Sequence, residues 1–222
     1  MTVVDAALAG WVLPVVPGAQ HVTVGGAIAC DIHAKNHSTA GTFGAHVAEM
    51  RLMTAGGELL TVSPAYYGDA MRATVGGMGL TGGIVSAKLR LRPLPSSWLA
   101  VDTDRVRDLD EALAILDGPG GPHRVAWLDL LGGDPVRGVV TRADHLSAPA
   151  APAAGPDAIG VGARTRIPPR WPAGKDRRLP AATLAAMYPR LDEWCAVRDR
   201  LDPERRWRSG LGLRVGLVEG GR

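Results

Sequence analysis

At 222 residues the chain has room for one large domain or two small ones, and an apolar fraction of 46% suffices for a core. Its 29 glycines and 17 prolines make it loop-heavy without a fibrous period, and with one Phe and three Tyr most of the filling falls to Ala, Val and Leu. A net charge of +3 with no aromatics interleaved among the basic residues argues against a nucleic-acid groove, two distant cysteines against a disulfide scaffold, and the lack of an apolar run of about 18 residues against a membrane span.

The start, Met1 to Val16, is apolar but carries no basic leader, so it reads as a helix end over Val4 to Leu8 entering a strand near Trp11 to Val16, not as a signal peptide. The most informative stretch follows. From Val22 to His33 a β-rich run feeds a Gly25-Gly26 turn, then Ala27 and Ala29, too small to fill space, then Cys30, Asp31 and His33. Glycine lacks a Cβ and lets backbone approach a ligand, and a glycine turn leaves N–H groups for an anion or a ring edge. An ordinary core strand would place bulky side chains there. The pattern predicts a backbone-lined cradle for a large flat or phosphorylated cofactor. His33 and His37 stand one helical turn apart near Cys30, but zinc wants four ligands, or three and a water, and no second pair lies close, so no metal is expected.

Val47 to Val62 predicts a hairpin, with Met50 and Leu52 on one face opposite Arg51, positive φ at Gly56-Gly57, and Leu60 and Val62 on the return. Gly77-Met78-Gly79-Leu80-Thr81-Gly82 spells G-x-G-x-x-G, yet the dinucleotide fingerprint needs a strand before it and a helix after it, and here a strand follows. Thr81 to Arg92 reads as a half-buried strand whose end, Lys88 to Arg92, alternates with its basic residues outward, and Pro93 and Pro95 stop it at a domain boundary. Asp108 and Glu111 form a capping box for a short helix that puts Leu109, Leu113 and Leu116 on one face. Arg124 to Leu131 and Gly138 to Arg142 read as strands of a second sheet. Ser147 to Pro156 is an Ala-Pro linker. From Pro180 the chain turns helical; Pro189 breaks that helix, and a second runs to about Leu201 with Leu191, Trp194, Val197 and Leu201 as its buried edge. Hydrolase and triphosphatase motifs are absent.

Several of these runs also carry a likeness. Pro17-Gly18-Ala19-Gln20-His21, the cradle itself, Ala34-Lys35-Asn36-His37, Met53 to Glu58, Ala73 to Gly82, Lys175-Asp176 and Ala186 to Trp194 resemble the vanillyl-alcohol-oxidase type of FAD-dependent oxidoreductases, which includes sugar-lactone oxidases. The resemblance implies an α+β fold, with a partial FAD-binding domain and a shortened second α+β region. It divides the chain into 1–95, the later part of the FAD-binding domain; 96–146, the start of a substrate domain; 147–165, the linker; and 166–222, a helical C-terminal segment. The family's pyrophosphate loop would precede Met1 and most of its substrate domain would fall between Arg142 and Arg166, so the expectation is a truncated, internally deleted member.

The resemblance further implies FAD, touched by Gly18, Thr23, Val24, Gly25, Gly26, Cys30, Asp31, Ile32, His33 and Ile84. His33 would lie beside the isoalloxazine, Lys35 would place a fixed positive charge near ring or substrate phosphate, and Lys175 would take a hydroxyl proton as hydride leaves for the flavin. The family has a tyrosine three positions before that lysine; here the place is Pro172, next to Trp171. The implied substrate is a lipid-linked, decaprenylphosphoryl-ribose-like sugar phosphate whose secondary hydroxyl is oxidised. An NAD-dependent reductase would complete an epimerisation, and the chain would be cytoplasmic or cell-envelope associated, with peripheral membrane contact. A sugar-lactone or alditol oxidase and a non-catalytic remnant without flavin are the alternatives.

Overall fold

The computed structural model describes residues 11–19, 21–96, 98–130, 137–147 and 181–218, with backbone alone at 181–183. The expected helix over Val4 to Leu8, nearly all of the 147–165 linker, and Lys175 with Trp171 and Pro172 lie outside them.

The fold is α+β, built on two three-stranded antiparallel sheets. A short strand, β1 (Trp11–Val12), leads to Leu13 and Val15, both buried. The stretch expected to run as a strand into a Gly-Gly turn is instead a helix, α1 (Val24–Ala29). Thr23 decides it. Its extended backbone and its Oγ1, which accepts from the Gly26 N–H at 3.0 Å, form an N-cap. Two glycines disfavour a helix by about 1 kcal/mol each, and burial of Val24, Ala27 and Ile28 in the core offsets that cost.

After α2 (His37–Ala40) and a 3₁₀ turn (Phe43–His46) come β2 (Val47–Met53) and β3 (Leu59–Val62), paired as the expected hairpin. Met50 and Leu52 are buried, Arg51 is exposed, and Gly57 has φ +85°. An unforeseen helix, α3 (Gly68–Thr74), leads through a glycine turn to β4 (Gly83–Leu89), which pairs with the other edge of β2. Strand β5 (Arg92–Pro93) pairs with β1. Leu13, Val15, Ile28, Phe43, Met50 and Leu52 anchor the main core.

The second sheet has the order β6-β8-β7, from β6 (Leu99–Val106), β7 (His123–Asp129) and β8 (Arg137–His145). Strands β7 and β8 were legible, but β6 was not: nearly all of its residues are exposed, so it shows no inward apolar alternation. Helix α4 (Leu109–Asp117) is capped by Asp108, whose Oδ1 accepts from the Glu111 N–H at 2.8 Å. The Glu111 carboxylate accepts from Arg107 N–H, one residue before the cap. Leu109 and Leu113, expected inside, are 49% and 48% exposed. The buried face is Ala112, with Ile115 and Leu116 beside it. Alanine's small side chain lets α4 settle close on Val106 and Val140, which turns Leu109 and Leu113 outward.

Helices α5 (Ala181–Met187), α6 (Leu191–Leu201) and α7 (Gly210–Arg214) complete the described chain. On α6 Leu201 is buried and Leu191, Trp194 and Val197 are half-buried along the expected edge, but Arg198, which was not foreseen, is buried beside them; Trp194 Nε1 donates to Ala73 O on α3 at 2.8 Å. Asp202 ends α6 wholly buried, Oδ1 accepting from Arg206 N–H at 2.8 Å and Oδ2 from Trp207 N–H at 2.7 Å. Asp202→Ala strands both donors and should destabilise the chain by about 3 kcal/mol, while Asp202→Asn keeps one acceptor and should cost about half as much. Urea midpoints check this; equal midpoints for the two variants would contradict it. Among the described residues no helix is long and apolar enough to cross a membrane.

Candidate cofactor site

Helix α1 has two unlike faces. Val24, Ala27 and Ile28 point into the core, which leaves Gly25, Gly26, Ala29 and Cys30 on the other side. A Cβ at Gly25 would stand 3.9 Å from the Cβ of Ile84, an ordinary contact, and one at Gly18 would meet nothing within 4 Å. The protein's own packing therefore does not require glycine at either position. Gly44 is the contrast: a Cβ there would come within 2.3 Å of Val75 Cγ1. The bare surface is thus a small-residue helix face rather than a glycine turn. Ala27 N–H and Cys30 N–H are engaged within the helix, by Thr23 O and Gly26 O.

The exit from α1 is held from several sides. Asp31 adopts φ +41°, and its Oδ1 accepts from the Gly44 N–H at 2.8 Å. Ile28 O accepts from Gly76 N–H and Ala29 O from Met78 N–H, so the helix end is stitched to the glycine turn. That turn has Gly76, Met78 and Gly79 all at positive φ. His33 forms an isolated bridge with Thr42 and lies edge to face with His37, ring centroids 5.5 Å apart. His33 and Lys35 are exposed. Asn36 between them and α2 is buried, its Nδ2 donating to Pro14 O at 2.9 Å, and Lys35 O accepts from the Arg124 N–H of β7 at 2.9 Å. No group of three metal-binding side chains occurs among the described residues.

Placement of the expected residues follows from this. Gly25 and Ile84 face each other across α1 and β4. Thr23 to Gly26 and Cys30 to His33 line one helix and its exit, and Gly18 is open. Val24 is in the core, Ile32 packs against it, and Asp31 commits one oxygen to Gly44. Lys175 is outside the described residues. A cavity of about 680 Å³ adjoins the site at Cys30 and Asp31, walled by Val75 to Met78, Leu184, Tyr188, Trp194, Leu211 and Val215. It shares only Cys30 and Asp31 with the expected cofactor residues. Val75 to Met78 belong to the glycine turn after α3; the remaining walls come from α5, α6, α7 and the residues that join them, far away in sequence, and the one hint of those was the Ala186 to Trp194 run.

Residues 2–63 match the FAD binding domain family. The chain is 46% identical over 132 residues to the decaprenylphosphoryl-β-D-ribose oxidase of Mycolicibacterium smegmatis, covering 58% of this chain and 28% of that protein. It is 34% identical over 225 residues to an uncharacterized Streptomyces coelicolor protein in the mprA 5′ region, covering 96% of this chain and 59% of that one. The chain spans less than two thirds of either relative. The resemblance to FAD-dependent oxidoreductases of the vanillyl-alcohol-oxidase type holds, and FAD is the cofactor it implies. The described residues fit a flavin: a helix face without bulky side chains, glycine where packing would accept more, and polar groups at its far end.

Proposed function

We propose that this chain is the flavin-holding part of an oxidoreductase that oxidises a secondary hydroxyl of a lipid-linked, decaprenylphosphoryl-ribose-like sugar phosphate. The observation that carries the reading is the Gly25–Cys30 face of α1, which lies within the segment that matches the FAD binding domain and whose Gly25 stands opposite Ile84 of β4. The sugar substrate is supported by the name of the mycobacterial relative alone. On this reading 1–95 holds cofactor, 96–146 begins the substrate side, and 166–222 returns to cover the flavin-holding part.

Bound FAD would supply the two-electron acceptor for the hydride. Gly18, Thr23 to Gly26, Cys30 to His33 and Ile84 would hold it. The exposed imidazole of His33 would donate an N–H to the ring edge, which favours negative charge there. Lys35 sits on a loop pinned by Asn36 to Pro14 O and by its own carbonyl to Arg124, so the root of its exposed side chain is fixed beside the site. Lys175 Nζ would take the hydroxyl proton. A separate NAD-dependent reductase would complete an epimerisation, and the substrate's lipid would bring the chain to a membrane surface.

Protein incubated with FAD and desalted should stay yellow with flavin absorbance. Lys175→Ala should keep that absorbance and slow flavin reduction by substrate about 100-fold. A colourless chain after incubation would leave only the ancestry.

A further inference from the structure

Four basic side chains gather where the second sheet meets the Lys35 loop. The backbone bond from Arg124 to Lys35 sets the preceding residue, His123, against that loop. His123 and His145 are diagonal neighbours on one sheet face, since His123 pairs with Ala143, and their rings meet edge to face at 5.7 Å. Arg92 on β5 and Lys35 both act on His123 electrostatically, and Asp144 is the one acid that does. Ser96 O lies 2.9 Å from His145 Nδ1, which must therefore carry its proton, leaving Nε2 for another partner. Arg92 Nε and His123 Nε2 are both shielded from solvent and have no hydrogen-bond partner among the described residues.

Burial first, then His145 and Arg92, hold His123 below the ordinary imidazole pKa; Lys35 adds to this and Asp144 opposes it. A depressed imidazole contributes stability that is complete above its unfolded pKa, about 6.5, and is lost as pH falls from there through the folded value. Crowded like charges with donors left over are what an anion relieves. A metal is the poorer occupant, because Lys35 and Arg92 would repel it.

We propose that Arg92, His123, His145 and Lys35 form an anion subsite that takes a phosphate group. A phosphate offers several acceptor oxygens for the Arg92 Nε–H and for a protonated His123 ring, and His145, whose Nδ1 proton goes to Ser96 O, donates to it from Nε2 as the imidazolium. It also cancels the repulsion on His123, so its binding draws a proton onto that ring. Only the subsite's role as the seat of the substrate's phosphate rests on the flavin reading; the binding itself does not.

The test follows the histidine imidazole resonances of the full chain, with and without FAD, at constant ionic strength. The soluble arm titrates inorganic phosphate and ribose 5-phosphate; the lipid arm uses vesicles containing phosphatidic acid. Saturable shifts of His123 and His145 are expected, with affinity rising about 5-fold from about pH 8 to about pH 6.5. Arg92→Gln, or His145→Gln should the first variant fail to fold, should weaken binding about tenfold. Arg105→Gln on the same face should leave it unchanged. Shifts with soluble phosphates alone assign a free phosphate, and vesicle binding lost with Arg92→Gln assigns a lipid headgroup. No saturable shift in either arm, a shift that chloride reproduces, or full affinity in both weakened variants overturns the proposal. A colourless protein that still binds phosphate overturns the flavin reading and leaves the subsite standing.

Discussion

Gly82→Ala is expected to cost about 3–5 kcal/mol, a large share of the 5–15 kcal/mol, roughly, that holds a typical domain together. Gly82 has φ +149°, a backbone region that side-chain-bearing residues avoid at about 1–3 kcal/mol. A Cβ there would also stand 2.5 Å from Met53 O and 3.0 Å from Leu52 Cδ1. Neither can retreat. Met53 is paired with Gly83 across β2 and β4, and Leu52 is fully buried, so overpacking adds about 1–3 kcal/mol. Gly57→Ala is the control: φ is +85° but nothing lies within 4 Å, so about 1 kcal/mol of backbone strain is the whole expected cost. Urea unfolding of the two variants should separate them widely, and coincident midpoints would sink the argument. The consequence reaches the cofactor site. Gly82 immediately precedes β4, and β4 carries Ile84 to its place opposite Gly25. The G-x-G-x-x-G spacing therefore serves a turn between α3 and β4, the reverse of the strand-to-helix order that a dinucleotide fold needs.

What the sequence made legible was whatever a local pattern encodes. The β2–β3 hairpin follows from alternation at Met50, Arg51 and Leu52 and from Gly57, and the inner edge of α6 from apolar spacing that Trp194 and Leu201 realise. What stayed hidden depends on tertiary choice. Val22 to Gly26 looks extended, because two glycines and two valines disfavour helix, and only the Thr23 cap and the burial of Ala27 and Ile28 reverse it. Strand β6 is nearly all exposed and so carries no buried stripe to read. At the site, the likeness marked α1 and Ile84, and the structure does set Gly25 against Ile84. The link between Lys35 and β7 is a backbone bond to Arg124, and backbone bonds leave no residue type as a signal.

The second large effect sets stability against binding. Gly25 lies in the first turn of α1, and a Cβ there meets only Ile84, at 3.9 Å. Gly25→Ala should therefore stabilise the flavin-free chain, by up to about 1 kcal/mol, since alanine is the better helix former and loses less backbone freedom on folding. The same methyl group would project from the face on which the flavin is proposed to lie. There it should weaken FAD retention about tenfold or more, because a rigid ring pressed to backbone has no room to yield. Thermal unfolding without FAD and flavin content after desalting read the two effects separately. A chain that gains stability and loses flavin places the ring against α1. Should the variant gain stability and keep all its flavin, the glycine would be incidental to binding. The cavity at Cys30 and Asp31, walled by the glycine turn and the C-terminal helices, would then be the place to look for the cofactor.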